Sequence, residues 1–233
     1  PGLSGSLALK GARIDDLFLK GYRQTIEKNS PLVELFRPEG AQNAYFAEFG
    51  WAGANVADLP NADTLWTAAP GAKLTPATPV TLTYVSTTGL TFTRKISIDD
   101  RFMFTVTDSV ANASATPIQL AAYGSVQRQG IPTDHAASAV VHEGAVGVVD
   151  SKLTTIKYKA WKKDGGSEAT STGGWMGITG HEPAHPLKVG GGPQLYVLRA
   201  SNSTNCVHAA CRVADWDRTS LATPIRKLYC RFR

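Results

Sequence analysis

Residues 90–109 read LTFTRKISIDDRFMFTVTDS. Ile96 and Ile98 continue a face begun by Leu90 and Phe92, with Thr91, Thr93, Lys95 and Ser97 between them. After Asp99-Asp100, Phe102, Phe104 and Val106 alternate with Met103, Thr105 and Thr107. Successive side chains of an extended chain point to opposite sides, so this period of two predicts a pair of half-buried strands joined by a turn. The same period recurs at Val80, Leu82 and Tyr84, and again at Ile118, Leu120 and Ala122. Turn signals stand between these runs at Pro70-Gly71, Thr87-Thr88-Gly89 and Ala111-Asn112-Ala113. A strand and a turn about every 10 to 14 residues predict an all-β fold, an antiparallel β-sandwich.

Helical signals are poor. Ile14 to Leu19 places apolar residues at 14, 17, 18 and 19, which a short helix could use, but Gly11 and Gly21 flank it and a strand is expected. There is no internal repeat at a fixed period and no low-complexity tract.

The 233 residues suffice for one large domain or two small ones. Apolar content of 42% with 18% charged residues fits a globular chain rather than a disordered one. No apolar run approaches the ~18 residues of a spanning helix, and no signal-peptide pattern opens the chain. It starts at Pro1 rather than Met, and is expected to be a piece of something longer.

The net charge of +5 is unevenly spread. Residues 181–233 hold eight Lys/Arg against three Asp/Glu, so residues 1–180 are neutral. All three cysteines, Cys206, Cys211 and Cys230, also lie past residue 180. Lysine outnumbers arginine before that point and arginine outnumbers lysine after it. A boundary is expected there. Past it, Gly190-Gly191-Gly192-Pro193 stops any element. Residues 180–233 are expected to form an irregular, partly ordered tail in which Leu195 to Leu198 has the best chance of pairing.

Within the tail, His181-Glu182-Pro183-Ala184-His185 matches H-E-x-x-H, the helical zinc signature of metalloproteases. Two histidines four apart share a face only on a helix. Pro183 falls between them and disfavours helical geometry at Glu182, and Pro186 follows. A catalytic zinc also needs a third protein ligand; only His208, Asp215 and Asp217 remain downstream. The zinc reading is therefore unfavoured. Cys206 and Cys211 around His208 lack the second ligand pair of a structural zinc site.

His142-Glu143 lies on the apolar stretch Val140 to Gly144 and reads as a structural histidine. Lys157, Lys159, Lys162 and Lys163, interleaved with Tyr158 and Trp161, could face nucleic acid. An exposed edge strand guarded by lysines is favoured, since residues 1–180 carry no net positive charge. The residues themselves yield no catalytic, cofactor-binding or metal site.

A set of phrases occurs in order: Leu9-Lys10-Gly11-Ala12-Arg13-Ile14-Asp15-Asp16-Leu17, Leu19-Lys20, Tyr22-Arg23-Gln24-Thr25, Ala47-Glu48-Phe49-Gly50-Trp51, Phe104-Thr105-Val106-Thr107-Asp108, His142-Glu143-Gly144 and Gly174-Trp175-Met176-Gly177-Ile178-Thr179. Together they resemble the large periplasmic domain of YidC, the bacterial membrane protein insertase, in its alphaproteobacterial form. The resemblance covers residues 5–179. It implies a large twisted antiparallel β-sandwich, a supersandwich, on the outer side of the inner membrane, between a first transmembrane helix and five more. It implies a role in inserting and folding membrane proteins together with the Sec translocon. The insertion machinery lies in the transmembrane bundle, so no functional residue of the family carries over, and the membrane is reached only through segments absent from this chain.

After Thr179 the resemblance stops. Residues 180–233 are expected to derive from a shifted reading frame or a wrong junction, with a natural divergent ending as the runner-up. A sandwich with a replaced ending is expected to be incomplete at its C-terminal end. The function expected is that of a non-enzymatic periplasmic domain without cofactor, meeting client chains or partner proteins at edge strands or in the groove between sheets. The rival is a carbohydrate-binding or carbohydrate-active β-sandwich, whose mark would be paired carboxylates beside stacked aromatics. Asp99, Asp100, Asp108 and Glu143 are in no pattern that suggests such a pair.

Overall fold

In a computed structural model of the chain, the described residues are 2–114, 116–130, 142–164, 166–171, 174–179, 185–189, 194–201, 206–213 and 226–231. The quoted stretch forms an antiparallel pair, and the chain around it folds into two antiparallel sheets. In chain order the strands are β1 (Leu3–Ala8), β2 (Arg13–Arg23), β3 (Leu32–Phe36), β4 (Tyr45–Ala52), β5 (Thr67–Ala68), β6 (Val80–Val85), β7 (Leu90–Ile98), β8 (Met103–Asn112) and β9 (Ala121–Gln129). Then come β10 (Gly144–Val149), β11 (Lys152–Lys157), helix α1 (Tyr158–Asp164), β12 (Gly166–Ser171) and β13 (Gly174–Thr179). Four more strands follow: β14 (His185–Val189), β15 (Gln194–Ser201), β16 (Cys206–Val213) and β17 (Arg226–Arg231).

One sheet runs β1-β2-β4-β9-β16-β15-β12, with β3 also on β2. The other runs β11-β10-β13-β14-β17-β8-β7-β6-β5. The all-β sandwich expected from the alternation is what the structure shows. The space between the sheets is filled by Phe49, Trp51, Leu82, Phe92, Ile96, Phe104, Val106 and Val126, among others. Trp51 meets Phe92 across the sheets, their rings 6.0 Å apart. Fully burying such side chains contributes roughly 1.5–3 kcal/mol each.

Segment 14–19 is a strand, and its odd spacing has a cause. Opposite the consecutive β1 residues Ser6 and Leu7 stand Asp16 and Ile14, so Asp15 is an extra residue in β2. This bulge resets the alternation, and both Ile14 and Leu17 enter the core. Gly5 lies against the same stretch; a Cβ there would fall 1.8 Å from the Asp16 carbonyl oxygen.

Two expectations differ from the structure. The lysine-rich stretch after Lys157 leaves edge strand β11 and turns into α1 instead of continuing extended. Tyr158 and Trp161, three residues apart, share one helical face, stack with their rings 6.3 Å apart, and are buried. Exposed Lys159 and Lys163 turn outward. The tail, expected to be irregular, contains four strands among its described residues. β16 pairs β9 and β15, and β17 pairs β8 and β14. The physical reason lies in the body: without these partners β8 and β9 would each present an unpaired edge to solvent. Leu195 to Leu198 do pair, within β15.

Candidate functional site

Two of the body's polar clusters are built on buried arginines, Arg94 and Arg13. The first is in the core. Arg94 and Asp108 stand directly opposite each other on β7 and β8. Arg94 Nε and Nη2 donate to Asp108 Oδ1 and Oδ2 at 2.8 and 2.7 Å. Arg94 Nη1 donates to the Ala12 carbonyl at 3.2 Å. The guanidinium also lies over the Phe49 and Trp66 rings, 5.5 and 5.1 Å from their centroids. The planar fork of arginine satisfies the carboxylate on both oxygens and fixes the turn before β2. This is a brace between sheets.

The second cluster lies on the face of β4 turned away from the other sheet. Tyr45, Ala47, Phe49 and Trp51 point inward, so Phe46, Glu48 and Gly50 point the other way. Tyr123 of β9 stands opposite Gly50, and its ring occupies the space a Cβ there would need, 2.5 Å away. A side chain at residue 50 would force that ring to move. The Tyr123 hydroxyl then donates to Glu48 Oε1 at 3.2 Å. Burial pushes the Glu48 carboxyl above its ordinary value, against the opposing pull of Arg13 and the Tyr123 bond. Burial, and then Glu48, push the Tyr123 phenol up to about 12. Arg13 caps the cluster: it lies over the Phe46 ring at 5.4 Å, pairs with Glu39, and donates to the Ala62 carbonyl at 3.1 Å. Chemically this face can exchange hydrogen bonds with a polar ligand and hold a proton on a carboxyl group.

The residues singled out in the sequence lie elsewhere and apart. His181 to Ala184 and Asp215 and Asp217 lie outside the described residues; His185 opens β14, opposite Ile178. Cys206, His208 and Cys211 sit along β16 and Cys230 in β17, in different sheets. No group of three or more metal-binding side chains occurs among the described residues. His142 Nε2 donates to the Ala145 carbonyl at 2.9 Å, which places the proton on that nitrogen. Asp99 caps the β7–β8 turn, accepting from the N–H groups of Arg101 and Met103. Asp108 is buried in its ion pair, roughly 17 Å along the strand from that turn. Glu143 precedes β10, separated from β8 by β13, β14 and β17, or about 19 Å at ordinary strand spacing. The four carboxylates considered for sugar chemistry are not assembled.

The family model described as the YidC periplasmic domain matches residues 1–181. The chain belongs to the YidC periplasmic domain family. Its alphaproteobacterial relatives agree: it is 59% identical over 184 residues to the membrane protein insertase YidC of Caulobacter vibrioides, covering 77% of this chain and 30% of that protein. It is 51% identical over 181 residues to the protein of that name from Rhizobium etli, covering 77% and 30%. The chain thus spans about a third of the length of the YidC proteins it matches.

Among solved structures it is similar to a putative aldose 1-epimerase from Escherichia coli K12, with a TM-score of 0.58 and 10% identity, covering 100% of this chain and 96% of that one. It is also similar to a GalM/aldose epimerase homologue from C. elegans, with a TM-score of 0.50 and 12% identity, covering 100% and 96%. At such identities the likeness concerns the sandwich alone. The phrases that carried the YidC resemblance have structural reasons. Gly144 of His142-Glu143-Gly144 faces Ile156, whose carbonyl oxygen would lie 2.0 Å from a Cβ. Asp108 ends Phe104 to Asp108 as the partner of Arg94, and Ala47 to Trp51 holds Glu48 and Gly50.

Proposed function

We propose that the chain acts as the periplasmic domain of a bacterial inner-membrane insertase, assisting insertion and folding of membrane proteins by contact rather than catalysis. The observation that carries this is the 59% identity over 184 residues to a membrane protein insertase. Client chains and Sec translocon components are the partners proposed. The candidate contact surfaces are the sheet edges β1, β11 and β12, because the space between the sheets is packed. No helix among the described residues is long and apolar enough to cross a membrane.

Exchange of residues 1–181 for the matching segment of the Caulobacter insertase tests the reading. Retained growth and retained insertion of a reporter membrane protein are expected. Growth lost although the hybrid accumulates normally would overturn it. Acceleration of aldose anomer exchange by the purified protein, abolished in Glu48→Gln, would instead favour a sugar enzyme.

We further propose that the family portion ends near Thr179 and that a shifted frame or wrong junction supplies the rest. Translating the coding DNA past codon 179 in the other two frames tests this; absence of a family continuation in both refutes it.

A further inference from the structure

Four contacts mark one shared end of the two sheets. The Lys20 N–H donates to the Gly2 carbonyl at 2.8 Å, and Gly2 packs against the Phe102 ring of the β7–β8 turn. The Tyr45 hydroxyl donates to the Ile178 carbonyl at 3.1 Å. The Tyr158 hydroxyl of α1 donates to the neighbouring Thr179 carbonyl at 3.0 Å. The β2–β3 turn, the β7–β8 turn and α1 therefore lie at the same end.

The β2–β3 turn projects beyond it. Residues 20–29 are all exposed, and Ile26 at the tip is fully so. Tyr22, one step back along the hairpin, is 66% exposed. The tip is nonetheless built: the Gln24 N–H donates to Pro31, the Thr25 N–H to Ser30 Oγ, and Arg23 Nη1 to the Ser30 carbonyl. The ordered tip thus holds two large exposed apolar side chains, Ile26 and Tyr22, four residues apart and among basic residues. Lys20, Arg23 and Lys28 surround it against one acid, Glu27; the same end also carries exposed Lys157, Lys159 and Lys163 and, in the β7–β8 turn, exposed Asp99, Asp100 and Arg101, so among these residues basic groups outnumber acids seven to three. None of these lysines has an ion-pair partner among the described residues. The opposite end also exposes Leu9, Leu65 and Leu153, but there Lys10 is paired with Asp63 and Lys152 is the exposed lysine left without an ion-pair partner among the described residues, against the cluster at the first end.

We propose that this end docks on an anionic phospholipid surface, with the β2–β3 tip inserted. The order of groups matches the layers of a bilayer face. Ile26 reaches the acyl boundary, Tyr22 the headgroup level where aromatic rings collect, and the lysines the phosphates. The inference rests on the proposed function only in that it requires a membrane within reach.

The test is co-sedimentation of the 233-residue protein with vesicles of equal phosphatidylglycerol and phosphatidylethanolamine, against pure phosphatidylcholine. Binding to the anionic vesicles alone, weakened by salt, is expected. Lys20→Glu and Lys28→Glu should each lower partitioning about fivefold or more, and Ile26→Ser about tenfold. Leu65→Ser, at the other end, should leave it unchanged. Equal binding to both vesicle types, or full binding by variants that melt like the parent, overturns the proposal. So does a tip that binds a purified protein partner but no vesicle. Absent vesicle binding with a working exchange hybrid overturns this inference alone. Vesicle binding that follows the pattern above, with a failed hybrid, supports the inference and refutes only the proposed function.

Discussion

Arg94 and Asp108 are both sealed from solvent, at 0% and 1% exposure, and satisfy each other through two parallel hydrogen bonds in the core. Removing either partner strands a charge. Arg94→Leu or Asp108→Leu should cost about 3–5 kcal/mol. The double variant should recover most of that, because two apolar side chains replace two ions together. Urea unfolding of the three variants checks it; strict additivity of the singles would show that the pair is not a unit.

Glu48 gives a pH dependence of definite sign. Its carboxyl is raised above the ordinary 4.5 in the folded protein, so the folded state binds the proton more readily than the unfolded one. Its contribution is fully present below the ordinary value and is lost as pH rises through the folded one. Glu48→Gln keeps an acceptor for Tyr123 without the charge. It should equal or exceed the parent in stability at neutral pH, with the difference closing in acid. Melting temperatures across that range decide.

Tyr123 titrates late. In the folded protein its phenol ionises at about 12 instead of 10, so stability should fall between those values and not below them. The tyrosinate absorbance of the folded protein should show this late component, and Tyr123→Phe should remove it.

Gly144→Ala places a methyl group against the Ile156 carbonyl, at φ +140° where a side chain is strained in any case. A backbone oxygen cannot step aside as a flexible side chain can. A loss of about 1–3 kcal/mol or more is expected in thermal melts. Gly89→Ala has open space around its Cβ at φ +84° and should cost less, about 1 kcal/mol.

Truncation after residue 181 removes the strands that flank β8 and β9. The shortened chain should lose its cooperative melt and aggregate through those edges. A soluble, cooperatively melting fragment would show that the body stands alone.

The alternation that revealed β6, β7 and β8 arises from covalent geometry, which is why it could be read directly. It also concealed something. Arg94 occupies an inward position between Phe92 and Ile96, and Asp108 continues Phe104 and Val106. A charge at an apolar position on each of two facing strands was a usable signal of a buried pair. The β2 bulge was less legible, since it depends on β1. Tyr158 and Trp161 carried a helical spacing that the surrounding lysines masked. Glu48 and Tyr123 are 75 residues apart, and only the β4–β9 register brings them together. The tail strands are recruited by edges formed far upstream, a relationship no local pattern contains.

The placement of β17 also sets a timetable. Arg231 is the register partner of Met103, a separation of roughly 130 residues. On a ribosome adding about 5–20 residues per second, some ten seconds pass between the two. During that interval β7 and β8 can zip into their hairpin, but neither sheet can close. Completion waits on the last contacts to become available, and such distant pairings form slowly. An export or quality-control factor that shields strand edges would therefore have its greatest effect on this chain before residue 231 emerges.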